Sequence, residues 1–147
     1  MLVGGGEVEH ELKRLVAIHA PSKIQFAGNV TEKLKFELLS KARALVLPSN
    51  SESEAFGIVL LEAATLGKPI VTANLNSGTT EINEHNVNGM IFERSNVQSL
   101  AVILKALQAD DALCDKLGLQ NRQKYKQKYT RKLFGDRHLE LYQKVIN

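Results

Sequence analysis

The sequence predicts an α/β fold built on a parallel sheet, and three observations carry that expectation. Short strand-like runs alternate with helix-length stretches as far as about Ala109, the order of strand–helix–strand crossovers. From Asp110 onward the pattern is helical only. Glycine-bearing or polar loops (Gly4-Gly5-Gly6, Gly28-Asn29-Val30, Pro48 to Glu54, Thr72 to Gly78) each follow a strand-like run. In an open parallel sheet such loops converge on the carboxyl edge, where ligands bind.

The first strand is expected at Met1–Val3, running into the glycine turn, with a helix over Glu7–Ile18. A second strand follows at Ile24–Ala27. Thr31, with Glu32 beside it, is a good N-cap for a helix reaching Ala42. The third strand is Ala44–Leu47. The next helix is expected to start near Phe56 or Gly57 and run to Leu66, because Gly67 followed by Pro69 is a strong stop. Strands at Pro69–Thr72 and Gly89–Phe92 bracket a short helix near Thr80–Glu84. Helices over Val97–Ala109, Asp110–Lys128 and Thr130–Ile146 complete the chain.

Composition bounds the function. The 147 residues are 44% hydrophobic and 24% charged, which reads as one globular domain with a proper core. No apolar run reaches the roughly 18 residues that a membrane span requires, and the N-terminus lacks the order of a signal peptide; the simplest location is cytoplasmic. Cys114 is the only cysteine, which excludes an internal disulfide and a cysteine-rich metal cluster. The net charge of +3 suits an anionic ligand without requiring one.

Among the loops, Ser53 to Glu62 carries the most chemistry: two glutamates, Glu54 and Glu62, bracket an apolar run with Gly57 near its start. A helix opening there offers free N–H groups and the positive end of its dipole to an anion. Gly57 lets a phosphate approach the backbone with no Cβ in the way. Glu62, about 9 Å along that helix, is an acceptor-only carboxylate suited to a pair of sugar hydroxyls. Glu54 on the preceding loop can meet a second polar group. The alternative is an ordinary helix with two exposed glutamates. Gly4-Gly5-Gly6 offers either a phosphate-approach loop or a tight turn; with Glu9 and His10 where a further glycine is sought, it is not a dinucleotide fingerprint. His10, His19, His85 and His138 lack metal-ligand spacing, and no Asp-x-Asp is present. The basic stretch from Arg122 to Lys132, interleaved with Tyr125 and Tyr129, reads as a solvated helix face rather than a nucleic-acid or membrane surface.

The Glu54–Glu62 segment resembles the Glu-x7-Glu signature of retaining GT-B glycosyltransferases of the family-4 type. Leu2 to Gly6, Ile24 to Val30, Ala42 to Ser49, Gly67 to Val71, Gly78 to Ile82 and Asn88 to Phe92 resemble further pieces of that family, in its order. The resemblance implies a Rossmann-like parallel sheet with helices on both faces and C-terminal helices, one half of a GT-B architecture. It spans nearly the whole chain, residues 1–147, but only the family's second, donor-binding domain; a preceding strand and helix and the N-terminal domain have no counterpart, so the chain reads as a fragment, inactive alone. It further implies transfer of a sugar from a UDP-, GDP- or ADP-sugar to an acceptor hydroxyl of a glycan or lipid, with retention and without metal or other cofactor. The setting implied is polysaccharide, lipopolysaccharide or glycolipid synthesis, at the inner face of the membrane. By the family's pattern Glu54 faces the donor sugar as the catalytic residue and Glu62 holds the ribose. The amides around Ala55, Phe56 and Gly57 meet sugar and phosphate; the family more often has Gly at Ala55. Gly5 lies on the phosphate side, Asn29 and Val30 meet the base, and Glu81 either packs or caps or contacts the ligand. The rival readings are a non-catalytic nucleotide-sugar-binding module and half of a nucleotide-sugar epimerase.

Overall fold

A computed structural model describes residues 1–51, 56–75 and 77–146. The chain divides into two compact units, Met1–Leu38 and Leu39–Asn147.

In the first unit β1 (Leu2–Val3) pairs in parallel with β2 (Phe26–Gly28), Leu2 opposite Phe26 and Val3 opposite Gly28. Between them lies α1 (Glu9–His19). It starts two residues later than the sequence pattern suggests. Gly4 takes φ +111°, and the Glu9 N–H donates to the Gly6 carbonyl at 3.1 Å, so the chain turns before it coils. Glu9 and Glu11 in the first turn and His19 in the last complement the helix dipole. Glu9 also pairs with Lys13 at 2.7 Å, as residues four apart on a helix can. No residue of this unit is buried, and Leu12, Leu15 and Ile18 of α1 are exposed. The cap at Thr31 forms as expected: its Oγ1 accepts from the Leu34 N–H at 3.3 Å. It opens α2 (Glu32–Lys41), within which the division between the units falls.

The second unit is organised by β3 (Leu45–Leu47), β4 (Ile70–Ala73) and β5 (Gly89–Phe92), all parallel, with β4 in the centre. Leu45 lies opposite Ile70, and Ile70 opposite Gly89. Every residue of β4 is buried, the condition of a parallel strand covered on both faces. Its side chains alternate accordingly. Ile70 joins Leu39, Leu60, Ala63 and Ile82, from α2, α3 (Ile58–Thr65) and α4 (Thr79–Ile82). Val71 and Ala73 join Phe92, Ile103, Leu107 and Leu117, from β5, α5 (Val97–Ala109) and α6 (Asp111–Lys128). Helices thus cover both faces, as expected. The last helix is α7 (Arg131–Ile146), none of whose residues is buried.

Local chemistry fixes the ends of these helices. Asn96 caps α5 by accepting from the Ser99 N–H at 2.9 Å, and Asp110 caps α6 by accepting from Leu113 at 2.9 Å; Asp110 is therefore a cap rather than the first helical residue. At the end of α3, Gly67 (φ +65°) donates to the Ala64 carbonyl and Lys68 to that of Ala63, each at 3.0 Å. This is the paired closure that a left-handed glycine permits.

Candidate functional site

The entrance to α3 is built on Gly57. It takes a left-handed conformation (φ +73°, ψ +64°) and immediately precedes Ile58, the first helical residue. Phe56 is therefore outside the helix, and α3 is shorter at both ends than the expected Phe56–Leu66. Gly57 is buried. A Cβ there would sit 3.1 Å from Leu47 Cδ2 and 3.0 Å from Leu60 Cδ1. The space left by its missing side chain thus faces leucines rather than an approaching phosphate. Glycine is required for the turn and for packing against the end of β3. What the turn leaves to a ligand are the N–H groups of Ile58 and Val59, the first two of α3, which precede any intrahelical acceptor and receive no side-chain cap from Gly57; the Leu60 N–H already donates to the Gly57 carbonyl at 2.8 Å. They follow the carboxyl end of β3, the edge where parallel sheets bind ligands. Ile58 at the helix start is 70% exposed.

Glu62 lies four residues into α3, about 6 Å from its first residue. It is half-buried and its Oε2 is shielded from solvent. Its carbonyl accepts from Thr65 Oγ1 at 2.7 Å. Glu54 and Ala55, the other two residues of this motif expected to meet the sugar, lie outside the described residues.

The loop after β4 leads to α4, where Ser77 Oγ and Thr79 Oγ1 stand 3.0 Å apart and Thr80 Oγ1 donates to the Ser77 carbonyl at 2.8 Å. The Glu81 side chain is exposed, and its carbonyl accepts from the Tyr129 hydroxyl at 3.4 Å. Beneath α4 lies a buried amide network that the sequence pattern did not signal. Asn83 donates to Thr72 Oγ1 (2.8 Å) and to the Met90 carbonyl (2.9 Å). Asn88 donates to the Ile82 carbonyl (2.8 Å) and to Asn121 Oδ1 (3.0 Å), and Asn121 donates to the Lys68 carbonyl (2.8 Å). These bonds tie β4, α4, the approach to β5, α6 and the Gly67–Lys68 turn together. Isolated asparagines between elements have no periodicity to betray them.

In the first unit two of the expected residues come together. A Cβ on Gly5 would lie 3.5 Å from either terminal atom of the Asn29 amide and 3.2 Å from Glu9 Oε2. Asn29 is exposed and Val30 half-buried. Gly28 before them has φ +63°.

Among the described residues no group of three or more His, Cys, Asp or Glu could hold a metal, and no helix is long and apolar enough to cross a membrane. His85 Nδ1 accepts from the Ile91 N–H at 2.9 Å, and His138 stacks on Phe134, centroids 4.0 Å apart; both are structural. Tyr129 packs on the α3 side of the sheet rather than standing free for stacking on a base. Cys114 is buried and donates to the Leu107 carbonyl at 3.2 Å; burial raises its thiol pKa, against the opposing pull of Arg43.

Comparison with known proteins places these features in a family. Residues 1–124 match the family described as glycosyl transferases group 1. The chain is 29% identical over 146 residues to the O-antigen chain mannosyltransferase C of Escherichia coli, covering 99% of this chain and 39% of that protein. It is 32% identical over 130 residues to the D-rhamnosyltransferase WbpZ of Pseudomonas aeruginosa, covering 88% of this chain and 34% of that protein. The chain thus spans less than two-fifths of the length of these relatives. In structure it resembles Anabaena HepE crystallised with UDP (TM-score 0.86, 22% identity, 97% of this chain, 40% of that one). It resembles the sucrose-phosphate synthase of Thermosynechococcus elongatus equally well (TM-score 0.86, 22% identity, 99% and 38%). At that identity the likeness is one of fold.

Proposed function

This chain belongs to the glycosyl transferases group 1 family, and on that premise we propose that it binds the donor in a glycosyl transfer. The donor is a nucleoside-diphosphate sugar, and the sugar moves to an acceptor hydroxyl with its anomeric configuration kept. The observation that carries this reading is the entrance to α3: its first amides follow the carboxyl end of β3 with no side-chain cap from Gly57, and the half-buried Glu62 lies about a turn further on. The amides of Phe56 to Val59 take the diphosphate and stabilise its charge as it leaves, a preorganised electrostatic contribution that needs no metal. Glu62 accepts from the two ribose hydroxyls, and Glu54 and the Ala55 amide face the transferred sugar.

Two relatives named for mannosyl and rhamnosyl transfer, one of them for O-antigen, support a hexosyl donor and a role in surface-polysaccharide synthesis. The site of action proposed is the cytoplasmic face of the membrane. The acceptor site belongs to the part of such proteins that this chain does not span, and catalysis requires that part.

A thermal-shift panel with millimolar UDP, GDP and ADP, each with EDTA and with Mg2+, tests the reading. One nucleotide should raise the melting temperature in EDTA; a hundredfold excess over the dissociation constant contributes about 2.7 kcal/mol. No rise with any nucleotide would overturn the donor-binding reading. A rise confined to Mg2+ would overturn the metal-free one.

A further inference from the structure

The family match ends at residue 124, yet an aromatic side chain packed beside the α3 entrance lies beyond it. Tyr129 is the C-cap of α6. Its ring meets that of Phe56 edge-on, with centroids 6.3 Å apart and planes at 72°. Both rings pack against the cluster formed by Leu39, Leu60, Ala63, Ile70 and Ile82. The Tyr129 hydroxyl reaches the Glu81 carbonyl in α4. Burial, seconded by the nearby Glu81 carboxylate, raises the hydroxyl's pKa, so it remains a neutral donor. Three elements therefore meet at one ring: the segment entering α3, α4, and the end of α6.

Phe56 is bonded to Gly57, whose left-handed turn aims the first amides of α3. Whatever fixes Phe56 fixes that turn. We propose that Tyr129 is a positioning residue, its ring holding Phe56 and thereby keeping the first amides of α3 in place for a diphosphate. The ring matters more than the hydroxyl. The hydroxyl's bond is 3.4 Å long, beyond the strong range, whereas the ring pair has the centroid spacing and tilt that aromatic edges prefer. The positional half of this inference stands on the geometry alone; the ligand half rests on the donor reading above.

Hydrogen exchange read by mass spectrometry over residues 56–60, with α5 as internal control, tests the positional half. Calorimetric titration with UDP tests the ligand half. Tyr129→Leu keeps apolar bulk but removes the ring edge. It should speed exchange at 56–60 and leave α5 unchanged. It should also weaken UDP binding about threefold to tenfold, the range an aromatic pair contributes. Tyr129→Phe should restore both. Phe56→Leu, which attacks the pair from its other side, should speed the same exchange and serves if Tyr129→Leu destabilises the whole unit. Unchanged exchange in both leucine variants would overturn the positional claim, as would a Tyr129→Phe variant no better than Tyr129→Leu. Faster exchange with unchanged UDP affinity would overturn the ligand half. If the unsubstituted chain does not bind UDP, the donor reading and the ligand half fall together, while the exchange result still decides what Tyr129 positions.

Discussion

Gly57 holds a conformation and a space that strongly favour glycine. Its φ of +73° costs any residue with a Cβ, and the Cβ would press on Leu47 and Leu60 at about their closest tolerable distance. Gly57→Ala should destabilise the protein by about 1–3 kcal/mol, as strain at a left-handed position does. Urea unfolding checks it, and a loss below about 0.5 kcal/mol would show that the turn is not fixed as described. The turn was legible in the sequence, since glycine marked the helix start; Glu54, the other end of the glutamate spacing, lies outside the described residues. The reason for the glycine was not legible. A free approach for phosphate was expected, and the structure instead packs leucine methyls there. Only the fold brings Leu47 and Leu60 to the same point.

At the scale of elements, helix packing depends on a close approach that periodicity does not reveal. Gly118 in α6 sits against the Gly67 turn so closely that an added Cβ would collide with the Gly67 carbonyl oxygen and press on Pro69. The turn cannot give way easily, because Gly67 and Lys68 close α3 and the Lys68 carbonyl accepts from Asn121. Gly118→Ala should therefore lower stability by about 1–3 kcal/mol, the usual penalty for overpacking. Gly135 in α7 meets nothing within 4 Å, so Gly135→Ala should leave stability unchanged or raise it by up to about 1 kcal/mol, the helix preference of alanine over glycine. Denaturant midpoints of the two variants check the pair, and equal shifts would contradict the packing described. The strands, the long helices and the caps at Thr31 and Gly67 were legible because each is a local pattern. The Gly67–Gly118 contact, the Asn83–Asn88–Asn121 network and the Phe56–Tyr129 pair join residues from different elements, and nothing local announces them.

At the scale of the molecule, the second unit carries a sheet with a fully buried central strand and a core on each face. The first unit holds two parallel strands and no buried residue. The fold class followed from the alternation of strands and helices, whereas the division into two units did not, since alternation does not reveal how much surface each part buries. The unit with the buried core is therefore the one that bears α3, and the account stands or falls on what α3 binds. The most direct measurement is calorimetric titration of the chain and of Glu62→Gln with UDP and with 2′,3′-dideoxy-UDP. If Glu62 accepts from both ribose hydroxyls, the substitution should weaken UDP about tenfold to a hundredfold, the worth of charged hydrogen bonds. It should leave the dideoxy ligand nearly unchanged, because that ligand never made the contact. Equal losses for the two ligands would contradict the assignment of Glu62, and with it the reading of the α3 entrance as the donor site.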